Sequence, residues 1–307
     1  PMPNKNQDIA KESDDAIPKQ LTEDMADAIS VEKQISNEDN GLSVDDENAV
    51  RKANDDLVED DYDVRIQKAL TDLDERAGEF LTKEGLAIYS PKFLNVLENI
   101  VDPLHKGLHL LYSQFRTLEG IGVMRLVLKQ NGFAEFKLIR GTDNNWTIRT
   151  SPGDEGKPTF ALYTGTESVE EKELLRNVYN GNWNALPNAL RNEIISRSGM
   201  DKNDDTDYKD GNMYGKIIKL FMITSSGAEG ISLKNTRYVH IMEPYWHPVR
   251  VQQVVGRARR ICSHSGLPEE EQTVEVFCYV STLTKEQLAD DRTTMLRKKD
   301  VSKIDGS

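Results

Sequence analysis

The sequence has few of the features that mark secreted or membrane proteins. Its 307 residues include only two cysteines, Cys262 and Cys278. So few thiols exclude a disulfide-stapled scaffold and favour a reducing, intracellular compartment. No apolar run approaches the ~20 residues that span a bilayer, and no signal peptide is visible. We therefore expect no membrane partner.

The phosphate-binding pattern G-x-x-x-x-G-K-[ST] is also missing. Gly156-Lys157 is followed by proline, and Gly215-Lys216 is followed by isoleucine. The acidic run D-E-R-A at residues 74–77 lies inside a helical pattern rather than at a strand end, so it does not suit a metal site. The two ends of the chain look like cuts in a longer protein. The chain alone is thus expected neither to hold ATP with Mg²⁺ tightly nor to turn it over.

The net charge of −13 is unevenly distributed. Residues 1–84 carry 24 acidic and 10 basic side chains, whereas residues 85–307 carry 28 and 29. The acidity therefore belongs to the N-terminal part and does not exclude an anionic ligand further on.

Three regions follow from the pattern of residues. Residues 1–62 are an acidic segment with no aromatic residue before Tyr62, and we predict that they are a disordered leader or an insertion between lobes. Residues 63–104 carry apolar side chains at helical spacing and are predicted to form a small helical segment, with Ser90-Pro91 opening one helix. Residues 105–307 are predicted to form the main domain.

The main domain alternates between strand and helix patterns. This alternation predicts an α/β fold with a doubly wound, mostly parallel sheet. Helices are expected around residues 118–128, after the capping box Ser168–Glu171, and at 185–196. Residues 141–158 are turn-rich and are read as an insertion. Strands are expected at residues 108–113, 133–139, 159–163, 217–224, 238–242 and 274–280.

A compact arginine-rich run, V-R-V-Q-Q-V-V-G-R-A-R-R, covers residues 249–260. Pro248 can open a helix there, because the first turn does not need its missing N–H. Helical spacing then predicts an apolar side formed by Val251, Val255, Ala258 and Cys262, and an opposite side formed by Gln253, Gly256, Arg257 and Arg260. Guanidinium groups fixed in this way suit phosphate, although a solvated basic helix remains the alternative.

Three further stretches follow predicted strands, where doubly wound sheets bind ligands. They are Y-S-Q-F at residues 112–115, T-S-S-G-A-E-G-I at 224–231 and E-P-Y-W-H-P at 243–248. A loop of small hydroxyls and glycines can present N–H groups to a phosphate, but an ordinary turn between strand and helix has the same composition.

Taken in order, these motifs together with Y-T-G-T at residues 163–166 and Q-V-V-G-R-A-R-R at 253–260 resemble the second RecA-like lobe of superfamily 2 helicases and translocases. The W-H-P run is similar to the Trp-Asn-Pro of Swi/Snf-type ATPases. The run G-R-A-R-R-I-C-S-H-S-G-L-P-E-E-E is similar to poxvirus nucleoside triphosphatase I and to helicases of large DNA viruses. The resemblance covers about residues 86–285.

The resemblance implies a role for each matching residue. Arg257 and Arg260 match arginine fingers that reach the terminal phosphates of a nucleotide, and Gln253 matches the first position of the same motif. Gly256, Gly230 and Glu229 are the candidates near the nucleotide; Glu229 stands where many DEAD-box proteins have arginine. The candidates for nucleic-acid contact are Ser113, Gln114, Gly165, Thr166, Thr224, Ser225, Ser226 and Trp246.

The implied ligands are ATP with Mg²⁺, held mainly by a first lobe that this sequence does not contain. The implied partners are that first RecA-like lobe and DNA or RNA, and the implied location is intracellular, in a virion or host cell if the protein is viral. A module on the same fold that binds nucleic acid or protein without catalysis is the alternative. No metal site is predicted, because Cys262 falls on the predicted apolar side of its helix and no second cysteine pair accompanies His264 and His247.

Overall fold

A computed structural model of the chain describes residues 64–118, 120–141, 144–149, 151–165, 167–198, 211–225, 230–245, 248–282 and 284–286. The predicted acidic leader therefore lies outside the described residues. So does most of the chain after residue 282. In the described parts, no helix is long and apolar enough to cross a membrane.

Among the described residues, four helices precede the first strand, in the region predicted to be helical. They are α1 at residues 64–75, α2 at Ala77–Phe80, α3 at Lys83–Tyr89 and α4 at Pro91–Val101. Pro91 occupies the first turn of α4, as predicted, although the Ser90 side chain makes no capping hydrogen bond. Their buried side chains, among them Leu97 and Ile100, share one core with the sheet strands. The boundary at residue 104 stays a prediction.

Among the described residues, the main sheet contains six strands. They are β1 Leu108–Tyr112, β2 Ala134–Glu135, β5 Thr159–Tyr163, β6 Leu220–Ile223, β7 Thr236–Ile241 and β8 Glu275–Cys278. All of them run parallel, and their order across the sheet is β2-β5-β6-β1-β7-β8. This arrangement confirms the predicted α/β class with a parallel sheet.

Helices cover both faces of this sheet. Leu110 and Tyr112 of β1 face a core shared with α6 (Val169–Tyr179), α7 (Asn188–Ser198) and α8 (Pro248–Ala258). Leu111 faces the opposite core, shared with α1–α4 and α5 (Ile121–Gln130). The central strands are buried on both sides, which explains why L-H-L-L-Y reads as a nearly continuous apolar run.

Local features mark a helix end and confirm the predicted capping of a helix start. Helix α5 ends at Gln130, and Gly132 follows with a φ of +88° that favours glycine. Ser168 caps α6, because its hydroxyl accepts the N–H of Glu171 at 3.2 Å.

The prediction of one strand over residues 133–139 is wrong. The chain leaves the main sheet after β2, and β3 (Lys137–Arg140) instead pairs antiparallel with β4 (Trp146–Arg149) in a separate two-stranded sheet. The predicted insertion at residues 141–158 therefore contains a strand, β4, which the sequence did not indicate because turn residues flank it. Leu138 is buried, and Trp146 and Ile148 pack against the core, which anchors this hairpin to the domain.

Candidate functional site

The carboxyl ends of three adjacent strands bring together three of the predicted stretches. Gly165 follows β5, Thr224 follows β6 and Ser113 follows β1, and β6 lies between the other two. Neighbouring strands lie about 4.8 Å apart, so the three turns form one row about 10 Å long. We call residues 113–114, 164–165 and 224–225 the carboxyl-edge loops.

Glu243, at the end of β7, holds the first of these loops. The Ser113 hydroxyl donates to Glu243 Oε2 at 2.6 Å, and the backbone N–H of Gln114 donates to the same oxygen at 3.1 Å. Lys92 Nζ lies 3.3 Å from the other carboxylate oxygen. Ser113 is fully buried, so its hydroxyl serves to fix the shape of the loop.

Glu167 holds the second loop in a similar way. Its Oε2 accepts the N–H groups of Thr164 at 2.9 Å and Gly165 at 3.0 Å. The Thr224 hydroxyl donates to the Thr164 carbonyl oxygen at 3.0 Å, which joins this loop to the end of β6. Thr224 is also buried, so its side chain stabilises the shape of the row of loops.

An aromatic and cationic cluster borders the Ser113 loop. The Arg250 guanidinium lies 4.4 Å from the centre of the Tyr245 ring, and its Nη1 lies 3.5 Å from Gln114 Oε1. The Tyr112 hydroxyl is buried and has no hydrogen-bond partner among the described residues. Burial raises the pKa of Tyr112 above its usual value, while nearby Arg250 acts in the opposite direction. The phenol therefore stays neutral and is a donor without an acceptor.

The arginine run forms a helix that is shorter than predicted. Helix α8 ends at Ala258, and the N–H of Arg260 donates to Ser263 Oγ at 3.2 Å. The inference that helical spacing places Arg260 on one helix face with Arg257 is therefore wrong. So is the placement of Cys262 on the apolar side, because Cys262 is exposed in a turn with a φ of +59°.

The two predicted fingers have different surroundings within this stretch, which we call the arginine turn (residues 257–264). Arg257 is half-buried, and its Nε atom is buried with no acceptor among the described residues. Arg260 is exposed and lines a cavity of about 650 Å³ together with Arg259, Ser263 and His264. Both ring nitrogens of His264 are used internally, by Ser263 Oγ and the Thr236 carbonyl oxygen.

The arginine turn and the carboxyl-edge loops are connected by a short segment. Helix α8 starts after β7 and runs back, so that the Arg257 carbonyl oxygen accepts the N–H of Leu233 just before β7 begins. Thr224 and Leu233 are nine positions apart in the sequence.

The remaining predicted site residues in the described part of the chain are half-buried or exposed. Gln253 is exposed, and a Cβ added at Gly256 would have no atom within 4 Å. Gly230 has a φ of +72°, which favours glycine. Ser225 is half-buried. Thr166, Ser226, Glu229 and Trp246 lie outside the described residues.

Sequence reasoning missed the two carboxylates that shape the row. Glu243 and Glu167 each accept backbone N–H groups from a predicted binding loop. Glu243 opens the quoted stretch E-P-Y-W-H-P, but its partner Ser113 is 130 positions away in the sequence. The pairing could have been found only by knowing that β1 and β7 are neighbours.

The chain is similar to proteins of large DNA viruses. It is 30% identical over 204 residues to the putative ATP-dependent RNA helicase R350 of Acanthamoeba polyphaga mimivirus, and the aligned region covers 66% of this chain and 19% of that protein. It is 30% identical over 213 residues to the termination factor NPH-I homolog of African swine fever virus (isolate Pig/Kenya/KEN-50/1950), and this alignment covers 62% of this chain and 26% of that protein. It is also 35% identical over 89 residues to nucleoside triphosphatase I of Melanoplus sanguinipes entomopoxvirus, where the alignment covers 29% of this chain and 14% of that protein.

These similarities confirm the resemblance predicted from the order of the motifs. The chain spans about a fifth to a quarter of the length of the first two of these relatives. No protein-family model matches it. Among solved structures, the C-terminal part of the Fun30 ATPase domain aligns over 85% of this chain and 70% of that chain, with 14% identity and a TM-score of 0.40.

Proposed function

We propose that this chain, a relative of viral helicases and nucleoside triphosphatases, acts as the second lobe of an ATP-dependent nucleic-acid helicase or translocase. The carboxyl-edge loops would hold one strand of DNA or RNA, and the arginine turn would face the nucleotide. A first RecA-like lobe would be the partner that closes both sites. The proposed setting is an infected cell or a virion.

The observation that carries this proposal is the row of loops on β5, β6 and β1. Three stretches that are 51 to 111 positions apart in the sequence end at one edge of one sheet. Their hydroxyls and the backbone N–H groups of Gln114, Thr164 and Gly165 bond within the protein, which fixes the shape of the row. A surface of fixed shape along the sheet edge would position the sugar-phosphate backbone of a strand without reading its bases.

Arg257 supports the nucleotide side of the proposal. A buried guanidinium N–H without an acceptor is costly, and such groups are expected where a ligand supplies the acceptor. The open space at Gly256 would let a phosphate or the first lobe approach the helix backbone closely. ATP would supply the phosphoanhydride bond. The guanidinium groups of Arg257 and Arg260 would stabilise negative charge as that bond breaks.

The described residues do not fit a Mg²⁺ site of their own. Among them, no three His, Cys, Asp or Glu side chains are grouped closely enough to hold a metal ion. A first lobe would therefore hold the metal ion.

Steady-state ATP hydrolysis by residues 1–307, measured with and without single-stranded DNA or RNA, tests whether this chain needs a first lobe to hydrolyse ATP. We expect no turnover from this chain alone, and stimulation by nucleic acid once a first lobe is supplied. Robust hydrolysis by residues 1–307 alone would show that the chain contains a complete nucleotide site. Binding of nucleic acid without any hydrolysis in the presence of a competent first lobe would favour the non-catalytic module.

A further inference from the structure

Arg260 lies just beyond the end of helix α8, so the helix does not fix its position. The N–H of Arg259 still follows the helical pattern and donates to the Val255 carbonyl oxygen at 2.9 Å. The N–H of Arg260 donates instead to Ser263 Oγ, at 3.2 Å. Because the Arg260 side chain is exposed, the place of its guanidinium depends chiefly on how the backbone of the arginine turn is held.

Ser263 holds this backbone at three points. Its hydroxyl oxygen accepts the Arg260 N–H and lies 3.0 Å from the Ala258 carbonyl oxygen, to which the hydroxyl can donate. Its own N–H donates to the Arg260 carbonyl oxygen at 3.0 Å. Ser263 is only 6% exposed, so water competes little for these bonds. One buried residue therefore closes the turn around Arg260.

The closed turn is also attached to the start of β7. The Ser263 carbonyl oxygen accepts the N–H of Asn235 at 2.9 Å. His264 Nε2 lies 2.8 Å from the Thr236 carbonyl oxygen, and because a carbonyl can only accept, that ring nitrogen carries a proton. His264 Nδ1 lies 2.8 Å from Ser263 Oγ, so the imidazole joins the turn to the strand. Thr236 is fully buried and pairs with Leu108 of β1, so the attachment reaches the inner strands of the sheet.

The turn keeps an unfavourable backbone conformation between Arg260 and Ser263. Cys262 has a φ of +59°, in the left-handed region that residues other than glycine rarely adopt. Such conformations persist where the surrounding contacts impose them, and they are concentrated at functional sites. The neighbouring Ile261 is 97% exposed, so its own packing does not explain the shape of the turn. The bonds of Ser263 and His264 do.

We propose that Ser263, braced by His264, is a positioning residue for Arg260 and holds its guanidinium where it can reach the terminal phosphates of ATP. This inference rests on the proposed function of the arginine turn. A cation stabilises the transition state of phosphoryl transfer most effectively when it is already in place, and a displacement of about 1 Å can lower a rate by about a hundredfold. Ser263 need not touch the nucleotide, because it acts through Arg260.

A double-mutant cycle on ATP hydrolysis tests this assignment, in a form that contains a first lobe and hydrolyses ATP. Ser263→Ala is expected to lower kcat by about a hundredfold with little change in the KM for ATP, because Arg260 is displaced. In the Arg260→Ala background the same substitution should have no further effect, since no guanidinium is left to position. Ser263→Thr keeps the hydroxyl and should restore most of the activity.

The matched control is Ser265→Ala. Ser265 lines the same cavity, but its hydroxyl donates to the Cys262 carbonyl oxygen at 3.0 Å. This variant should keep the wild-type kcat. In residues 1–307 alone, the Arg260 amide hydrogen should exchange with solvent about tenfold faster in Ser263→Ala and at the wild-type rate in Ser265→Ala. Should Ser263→Ala fold poorly, Ser263→Cys, which has a similar shape and weaker hydrogen bonds, takes its place in both measurements.

The possible outcomes separate this inference from the proposed function. An equal loss of kcat from Ser263→Ala in the wild-type and Arg260→Ala backgrounds would mean a general structural effect and would overturn the positioning role. A wild-type kcat in Ser263→Ala would also overturn it. In both cases a low kcat in Arg260→Ala alone would leave the proposed function of the arginine turn intact. A wild-type kcat in Arg260→Ala would overturn that function and this inference together.

Discussion

The Ser113 hydroxyl donates to Glu243 Oε2 across 2.6 Å, and this bond fastens the turn after β1 to the turn after β7. The Glu243 side chain is only 14% exposed and also faces Lys92, which is 24% exposed. A hydrogen bond to a buried charged group contributes more than a neutral one, because its loss leaves a desolvated carboxylate. The shape of the Ser113 loop therefore depends on an acid from the neighbouring strand.

Replacing Glu243 is expected to loosen that loop more than it disturbs the sheet. Glu243→Gln should lower the free energy of unfolding by about 1–3 kcal/mol, because the charged acceptor and the Lys92 pair are both lost. Combined with Ser113→Ala in a double-mutant cycle, the coupling should be at least ~0.5 kcal/mol. Urea denaturation measures both. Glu170→Gln, at a half-exposed pair with Arg140, is the control and should cost less than about 1 kcal/mol.

The last three arginines of the run should differ in function. In a form that hydrolyses ATP, Arg257→Ala and Arg260→Ala should each lower kcat by about a thousandfold, or ~4 kcal/mol of barrier. Arg259→Ala should do much less. Stability should hardly fall, because Arg260 is exposed and truncating Arg257 removes a buried donor that lacks an acceptor. Single-turnover hydrolysis and thermal melts give both quantities; similar losses from all three variants would indicate a generic basic patch.

Gly256 offers a way to separate folding from function. An added Cβ would meet nothing within 4 Å, and alanine favours a helix interior by up to about 1 kcal/mol over glycine. Gly256→Ala should therefore keep or raise the melting temperature. It should also lower ATP turnover if a phosphate or a second lobe closes on this helix.

The matched control for that substitution is Gly122→Ala in α5. There the added Cβ would lie 2.5 Å from the Thr117 carbonyl oxygen, so the melting temperature should fall. Full activity of Gly256→Ala, measured alongside its melt, would mean that nothing approaches the helix backbone at this position.

The sequence predicted the parallel sheet because the period of the apolar pattern changes between strands and helices. It did not predict that the chain leaves the sheet at Phe136, because β4 lies among turn residues and pairs only locally with β3. The spacing of apolar residues also predicted too long a helix in the arginine-rich run. Local hydrogen bonds between Arg260 and Ser263 end that helix, and Cys262 takes a left-handed conformation at a position where the sequence has no glycine to indicate it.

Sequence order placed the candidate loops at strand ends, but it could not show which strands were neighbours. The Ser113–Glu243 and Thr224–Thr164 bonds both join strands that are far apart in the chain. Burial of those hydroxyls also depends on tertiary packing. The motif residues were therefore identifiable from the sequence, while the groups that hold them in place were not.

A buried chain of hydrogen bonds joins two histidines on neighbouring strands and predicts how stability depends on pH. The Asn99 amide donates to the Tyr279 hydroxyl at 3.0 Å, and that hydroxyl lies 2.7 Å from His240 Nδ1. His240 Nε2 lies 2.9 Å from His109 Nδ1, and His109 Nε2 lies 3.3 Å from the His105 carbonyl oxygen. Since a carbonyl can only accept, His109 carries its proton on Nε2, and the whole chain is satisfied with both imidazoles neutral.

Acid should therefore destabilise the protein through this pair. Burial lowers the pKa of His240 to about 3, and burial together with His240 lowers the pKa of His109 well below its usual value. Below pH ~6.5 the two histidines are protonated in the unfolded chain but stay neutral in the folded chain. Each of them therefore lowers the free energy of unfolding by about 1.4 kcal/mol per pH unit. The loss begins as the pH falls through ~6.5 and continues toward the folded pKa. Urea denaturation at pH 7, 6 and 5 measures the slope. His240→Gln should be less stable at pH 7 but should lose less on acidification; parallel curves for the two proteins would show that carboxylates elsewhere control the acid response.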